Sequence, residues 1–382
     1  MVPQKKDERL QEYLQKARDK GAKLGYCIVG AGHGGMAMAG HLAIMGYPVS
    51  LYNRTPDNLN GVRWYGGIKV GGEVKGFGRI NLATSDIAEA IAGKDVIMVV
   101  TPSTAHAALA RQMARHLRDG QIVVLNPGRT GGALEFRKVL DDSNVKAAVF
   151  LAETQTFIYA SRAISRSEAF IFRIKNRVPL ATLPAHWIPD VLAVIRPAYP
   201  QFVAGNNVLC TSMDNIGAVF HPALTILNAG WIEAMHGDFD YYLQGITPSI
   251  ARILERIDEE RIAVAQGLGI GTSSAREWLY LSYGSAGSDL HETIHNTASY
   301  RGIKAPPNVN HRYIFEDVAM SLVPIFSIGA MLGIHAPTIG MIIGMACLMH
   351  DRDYWAEGRT VEKLGLAGLS VKDIRQKVAG ME

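Results

Sequence analysis

Apolar and polar positions follow two rhythms along this chain, and the change between them falls near its middle. The first stretch, MVPQKKDERLQEYLQKARDKGAK, is charged and has no apolar core. It predicts a lead-in helix over 1–23 and neither a secretory signal nor a membrane anchor. Short, wholly apolar runs then alternate with amphipathic ones. Tyr26–Val29 and Val49–Tyr52 read as buried strands on either side of a glycine turn, Gly30–Gly35, and a helix, Met36–Met45. Asp95–Val100, the run from Ile122, and "AAVFLAETQT" from Ala147 read as further strands of the same parallel sheet, since strands covered on both faces are apolar throughout. "GGIKVGGEVKGFGRINLATS" predicts a glycine-turned β excursion, and "AFIFRIK" and "RVPLATLP" are read as finishing the sheet.

Near Val208 the strand patterns stop and helical periodicity takes over, as in "TPSIARILERIDEERIAVAQGLGI", where Thr247 and Pro248 form a helix start. The most apolar stretch, Val318–Met349, contains "GMIIG", which matches a membrane helix-packing motif. Pro324, His335 and Pro337 are expected to cut it into pieces shorter than the roughly 20 residues a membrane span needs, so buried helices are predicted.

A length of 382 residues suits two domains, and 48% apolar with 19% charged residues is ordinary for a globular chain. The net charge of +4, from 39 basic and 35 acidic residues, is too dispersed for a nucleic-acid footprint but suits anionic small molecules. Cys27, Cys210 and Cys347 are odd in number, far apart and set among apolar residues; they read as reduced thiols, which implies the cytoplasm.

The most informative chemistry follows the first strand. In Gly30-Ala31-Gly32-His33-Gly34-Gly35, Gly30 permits the tight turn, Gly32 lets the backbone approach a pyrophosphate, and Gly35 allows helix to pack closely on strand. The helix N-terminus adds free N–H groups and the positive end of its dipole, and His33 adds a ring beside the phosphates. The strand before and the helix after make this a dinucleotide site rather than a chance glycine turn. At the end of the second strand stand Asn53, Arg54 and Thr55, where a carboxylate usually holds the ribose of NAD. An arginine fork, an amide and a hydroxyl donate to a 2′-phosphate, so NADP(H) is favoured over NAD(H); the alternative is a solvated Arg54 with Asn53 alone on the ribose. Thr101 and Pro102, and Asn126 and Gly128, lie where later strands should exit into the same crevice. Glu153, at another strand end, is read either as meeting an amino donor's ammonium or as a structural carboxylate.

The fold class is therefore α/β plus all-α: a lead-in helix (1–23), a Rossmann dinucleotide-binding domain (24–207) and an α-helical substrate and catalytic domain (208–382). The order "GAGHGG", "TPSTAH", "NPGRTGG", "AETQTFIYASR", "FHPALTILNAG", "IDEERIAVAQGLG" and "HRYIFEDVAMSLVPI" resembles the NAD(P)-dependent opine dehydrogenases, which include octopine and nopaline dehydrogenases, over nearly the whole chain after the first helix. The resemblance implies reductive condensation of an amino acid or other amine with a 2-oxo acid such as pyruvate. It places the catalytic histidine on His221 of "FHP", its aspartate partner on Asp317, and the arginine for the 2-oxo acid carboxylate on Arg312. The chemistry is apt: imidazole accepts a proton from an ammonium near neutral pH, and a guanidinium binds a carboxylate through two hydrogen bonds. By itself a histidine before proline reads as a helix-start residue, and Arg312 with Asp317 as an internal salt bridge. Asn215, six residues before His221, is a further candidate wall of the site. The implied partners are small molecules, with no nucleic acid or membrane; a homodimer is the assembly considered.

Residues 291–295 read HETIH, the literal zinc-hydrolase pattern, with His291 and His295 on one helical face and Glu292 as base. The further glycine and histidine of the extended motif are absent, with Ala298 and Arg301 in their places. A structural helix face is the expectation, with no metal; a wall of the amino-donor pocket is the alternative. Two other readings remain: a hydroxy-acid dehydrogenase that needs no amine, and a nucleotide sensor without turnover.

Overall fold

The computed structural model describes residues 3–381; Met1, Val2 and Glu382 lie outside the described residues, and with them the first two positions of the lead-in helix. That helix, α1, spans Pro3–Asp19. The chain divides into two compact units. The first contains residues 1–128, 132–211 and 376–382, the second 129–131 and 212–375.

In the first unit, twelve strands form two sheets. They are β1 Tyr26–Val29, β2 Val49–Tyr52, β3 Gly67–Gly72, β4 Gly76–Arg79, β5 Leu82–Thr84, β6 Val96–Val99, β7 Ile122–Leu125, β8 Phe150–Thr154, β9 Tyr159–Ser165, β10 Glu168–Ile174, β11 Val178–Leu183 and β12 Phe202–Ala204. The larger sheet runs β12-β11-β8-β7-β6-β1-β2-β5 and is parallel except where β11 meets β8. Every residue of β1, β2, β6, β7 and β8 is buried, which is why these segments are apolar without alternation. The order reverses beside β1, the place where a doubly wound sheet opens a crevice for a ligand.

One sequence expectation is corrected. "AFIFRIK" is β10, and it does not finish the larger sheet; it pairs with β3 and β9 in a second sheet, β4-β3-β10-β9, built on the glycine-rich excursion. Helix α2, His33–Ile44, packs against this second sheet as well as on β1 and β2. Covered on two sides, α2 is apolar almost all round instead of amphipathic, and Gly35–Gly40 are buried along its length.

The second unit is helical, and among its described residues no strand occurs beyond an isolated bridge between Asp240 and Lys304. Helix α3, Gly217–Leu227, carries His221. Its neighbour α4, Pro248–Gly267, starts as the sequence indicates, with the Thr247 hydroxyl accepting from the Ile250 N–H. Buried in α4, Arg261 pairs with Asp258 and donates to the Met213 and Ser273 carbonyls, fixing the loop that follows.

Pro324 does not break the apolar block, contrary to the sequence reading. Helix α5, Arg312–Phe315, leads through Asp317 into a π-helical turn, Val318–Leu322, and on to α6, Val323–Met331. Pro324 sits in the first turn of α6, where its missing N–H is tolerated, and the wide turn before it accommodates the ring. The continuous run Arg312–Met331 is long and apolar enough to cross a membrane, yet 72% of its most apolar window is buried inside the protein.

The chain enters the second unit after Thr211 rather than after residue 207. The reason is local: the Thr211 hydroxyl donates to Glu153 of β8, while the next residue, Ser212, is bonded to Thr130 and Gly131. The last segment, 376–382, belongs with the first unit, where the Ala379 carbonyl meets the His186 ring at 3.2 Å.

Candidate active site

The nucleotide half lies in the first unit. Gly30 has φ 115°, and a Cβ there would meet the Val100 carbonyl at 2.5 Å and Thr101 at 2.9 Å. A Cβ on Gly35 would fall on the Gly30 carbonyl oxygen, and one on Gly34 would strike the Phe157 ring at 2.6 Å. A Cβ on Gly32 meets nothing within 4 Å, so here the glycine leaves open space beside the first turn of α2. That helix has no side-chain N-cap, and its leading N–H groups can serve an anion. Helix starts at His33, three residues before the sequence reading. The His33 Nδ1 accepts from the Ala163 N–H at 3.0 Å, which fixes the tautomer and leaves Nε2–H as a donor.

At the end of β2, Asn53 accepts from the Ala31 N–H at 3.1 Å and donates to the Thr55 carbonyl at 2.9 Å, tying the glycine turn to the strand exit. Arg54 and Thr55 are exposed. Beyond β6 and β7, the Thr101 hydroxyl and the Asn126 side-chain oxygen are buried and lack a hydrogen-bond partner among the described residues. Such atoms need a partner, and their place at adjacent strand ends fits a bound dinucleotide. Pro102 is exposed beside Thr101. Gly128 has a packing reason of its own: a Cβ would collide with the Glu153 carboxylate.

Glu153 is fully buried, and its oxygens accept from the Ala133 N–H at 2.8 Å and the Thr211 hydroxyl at 2.6 Å. Of its two sequence readings, the structural carboxylate is the one the geometry supports.

In the second unit, folding brings His221 and Asp317 together. The His221 Nδ1 lies 3.0 Å from Asp317 Oδ2. A carboxylate accepts, so Nδ1 carries the proton and Nε2 presents its lone pair, to which the Tyr242 hydroxyl donates at 3.3 Å. Burial holds the Tyr242 phenol well above its ordinary pKa, with Tyr313 and Tyr300 adding to the shift, so it stays a donor. The Tyr313 ring stacks on the imidazole at 4.1 Å between centroids, and the Tyr241 hydroxyl donates to the His221 carbonyl at 3.1 Å. About a fifth of the histidine side chain, 18%, stays accessible, while Asp317 has none.

Arg312 and Asp317 do not share a helix face. α5 begins at Arg312, and Arg312 reaches one turn on to Glu316, at 2.7 Å. Its side chain is 49% exposed and the guanidinium can still meet a ligand. His311, the N-cap of α5, accepts from the Tyr313 N–H, and burial together with Arg312 and His221 lowers its pKa.

The residue that sequence reasoning missed is Arg129. Its Nη1 lies 2.9 Å from Asp317 Oδ1, its Nε 3.7 Å from Glu316, and it donates to Asn215 Oδ1 at 3.4 Å. Burial works against its charge, but Asp317 and Glu316 outweigh that and hold its pKa above the ordinary arginine value. Arg129 has φ 58°, a left-handed conformation that costs a side-chain-bearing residue ~1–2 kcal/mol. An arginine between glycines in "NPGRTGG" was the one available signal. Asn215 is buried beside it and donates to Ser321 at 2.8 Å.

HETIH forms a single short helix, Leu290–His295. Its Glu292 accepts from the Ser288 N–H, while the Asp289 side chain accepts from the Glu292 N–H, so the carboxylate closes the helix start instead of facing the histidines. His295 Nδ1 bonds to the His291 carbonyl at 2.8 Å. No group of three histidine, cysteine or carboxylate side chains converges among the described residues.

Comparison with known proteins agrees with this division. Residues 25–132 match the NAD binding domain of 6-phosphogluconate dehydrogenase, and residues 204–350 match the NAD/NADP octopine/nopaline dehydrogenase alpha-helical domain. An opine dehydrogenase of Arthrobacter sp. (strain 1C) is 38% identical, over 92% of this chain and 98% of that protein. The octopine dehydrogenase of Pecten maximus is 23% identical, over 88% and 93%. Among solved structures, octopine dehydrogenase in complex with NADH and agmatine superimposes with a TM-score of 0.78 at 20% identity, covering 94% of this chain and 99% of that one. Yersinopine dehydrogenase with NADP+ bound does so with 0.67 at 15%, over 94% and 98%.

Proposed function

Because this chain belongs to the opine dehydrogenase family, oxidoreductases acting on CH–NH donors with NAD(P), we propose specific roles for its residues in joining an amino acid to a 2-oxo acid. The observation that carries the proposal is the His221–Asp317 pair, an imidazole with a fixed tautomer and an accessible edge.

His221 Nε2 takes a proton from the substrate ammonium, the Tyr242 hydroxyl turning aside about its C–O bond. The free amine attacks the carbonyl carbon of the 2-oxo acid, whose carboxylate is held by the half-exposed Arg312. One nitrogen proton passes to the oxygen, the imidazolium delivers the second, and water leaves the iminium carbon. The dinucleotide, when bound in its reduced form, supplies the hydride that this carbon accepts. The secondary amine then takes a proton from solvent, so one proton is consumed overall. Asp317 holds the ring and stabilises the imidazolium.

Gly32, His33, Gly34 and Gly35 would hold the pyrophosphate, and Thr101 and Asn126 the far end of the dinucleotide. Exposed Arg54 and Thr55 favour a 2′-phosphate, hence NADP(H) over NAD(H). The titrant is NADPH, followed with pyruvate or glyoxylate while amino acids are added one at a time. Oxidation that appears only with an amine supports the reaction; oxidation without one would reassign the protein to hydroxy-acid chemistry. Three thiols outside any disulfide, Cys27, Cys210 and Cys347, support a reducing, cytoplasmic location. Fractionation of the native host would test it.

A further inference from the structure

We propose that Arg129 is a positioning residue for the acid–base pair: by holding the second oxygen of Asp317 it divides that carboxylate's charge between itself and His221, and so sets the pH at which the histidine is free to act as a base. The inference rests on the reading of His221 as that base, and it assigns a role outside the three residues the resemblance supplies.

Asp317 is wholly buried, and each of its oxygens has one cationic or ionisable partner: Oδ2 the imidazole at 3.0 Å, Oδ1 the guanidinium at 2.9 Å. Buried Glu316 lies between the two arginines, 3.7 Å from Arg129 and 2.7 Å from Arg312. Two guanidinium groups thus face two carboxylates, and the cluster is neutral when the imidazole is neutral. If Arg129 loses its charge, one unit of negative charge remains beside His221 among largely buried side chains. An uncompensated carboxylate holds a proton on a neighbouring imidazole.

The other groups facing His221 do not take over this function. Tyr242 meets Nε2 and Tyr241 the backbone carbonyl, and burial keeps both as phenols. Tyr313, stacked on the ring, has its pKa raised by burial too. His311 adds no negative charge, and the cation of Arg312 is directed to Glu316.

Arg129 is also held in place by its backbone neighbours. The Thr130 N–H donates to the Met320 carbonyl at 3.2 Å, the Thr130 hydroxyl to the Ser212 carbonyl at 3.2 Å, and the Gly131 N–H to the Ser212 hydroxyl at 2.9 Å. Buried Arg359 donates to the Thr130 carbonyl at 3.1 Å. A left-handed residue whose next two positions are both anchored is consistent with strain kept at a site that uses it.

The test compares the full-length protein with Arg129→Gln, which keeps donors but not charge, and Arg129→Lys, which keeps charge but not the fork. Two readouts are taken: the acid limb of the kcat/KM profile for NADPH oxidation with amine and 2-oxo acid, and direct NMR titration of the His221 ring. In Arg129→Gln both midpoints should move to higher pH by about one unit or more. In Arg129→Lys they should stay close to wild type while kcat falls. Loss of rate in Arg129→Gln with unmoved midpoints would reduce the arginine to a structural part. Should the glutamine variant not fold, a lysine variant whose ring titrates about a unit above wild type would refute the inference equally. A wild-type protein without turnover would defeat the assigned reaction, and the ring titration would still decide the role of Arg129.

Discussion

Asp317→Asn isolates the carboxylate at the centre of the site. The native side chain accepts from His221 Nδ1 at 3.0 Å and forms an ion pair with Arg129 Nη1 at 2.9 Å. An amide has one oxygen to offer. If that oxygen stays with Arg129, the amide N–H2 faces Nδ1, the ring takes the other tautomer, and Nε2 carries a hydrogen where it should accept one. If the oxygen turns to the histidine, N–H2 confronts the guanidinium, donor against donor. The donor clash disfavours the second arrangement and the first removes the base; losses for a misdirected imidazole run to ~10²–10⁴ in kcat, about 3–5.5 kcal/mol of barrier. Leaving a buried guanidinium without its partner costs a further ~3–5 kcal/mol of stability, reduced here because Glu316 lies 3.7 Å away. Steady-state NADPH oxidation measures the first effect, thermal unfolding the second. NADPH fluorescence titration provides the control, since the nucleotide-binding residues belong to the other unit. The acid limb of any residual activity should move to lower pH, because the anion that favoured the imidazolium is gone. Turnover within threefold of wild type would refute both the tautomer argument and the assignment of His221.

Other outcomes follow from the same geometry. Gly35→Ala should abolish folding of the nucleotide loop, its methyl falling on the Gly30 carbonyl, whereas Gly32→Ala, which meets nothing within 4 Å, should melt like wild type yet bind NADPH about tenfold or more weakly; paired melting and binding curves separate the two. Arg54→Asp should lower the NADPH:NADH ratio of kcat/KM by about tenfold or more, and an unchanged ratio would remove Arg54 from cofactor choice. EDTA treatment and His291→Ala should both leave turnover intact; loss of activity restored by zinc would reopen the hydrolase reading. Burial pushes the Cys27 thiol up to about 12 from 9.0, so the folded chain keeps a proton that the unfolded chain releases. Stability should therefore fall as pH rises from about 9 to about 12, and Cys27→Ala should remove that part of the slope in denaturant titrations at stepped pH.

The dinucleotide-binding fold was legible because its determinants are local. β1 and β2 lie where the apolar runs place them, and the glycines between do distinct jobs within a few residues of each other. The start of α2 was misjudged by three residues because Gly34 and Gly35 already lie within the helix. β10 was misassigned for a different reason: an alternating run shows that a strand will form, not which sheet will accept it, and its partner β3 lies far away in the chain. Pro324 misled because proline is tolerated in a first helical turn, and the π-helical turn before it leaves no mark in the sequence. Glu153 illustrates the ambiguity of a charged residue at a strand end, which serves a ligand or a neighbouring helix equally well until burial is known.

By itself, then, the sequence determined the elements, the division into a dinucleotide-binding part and a helical part, the glycine turn, and, through resemblance, the histidine, aspartate and arginine proposed for the reaction. These are properties of short windows or of motifs that survive intact. Tertiary structure alone decided the electrostatics. Asp317 lies between His221 and Arg129, residues from three separate segments, while Arg312 turns to Glu316, one turn on. Charge acts through space and gains strength with burial, and neither separation nor burial is written in the order of residues along the chain.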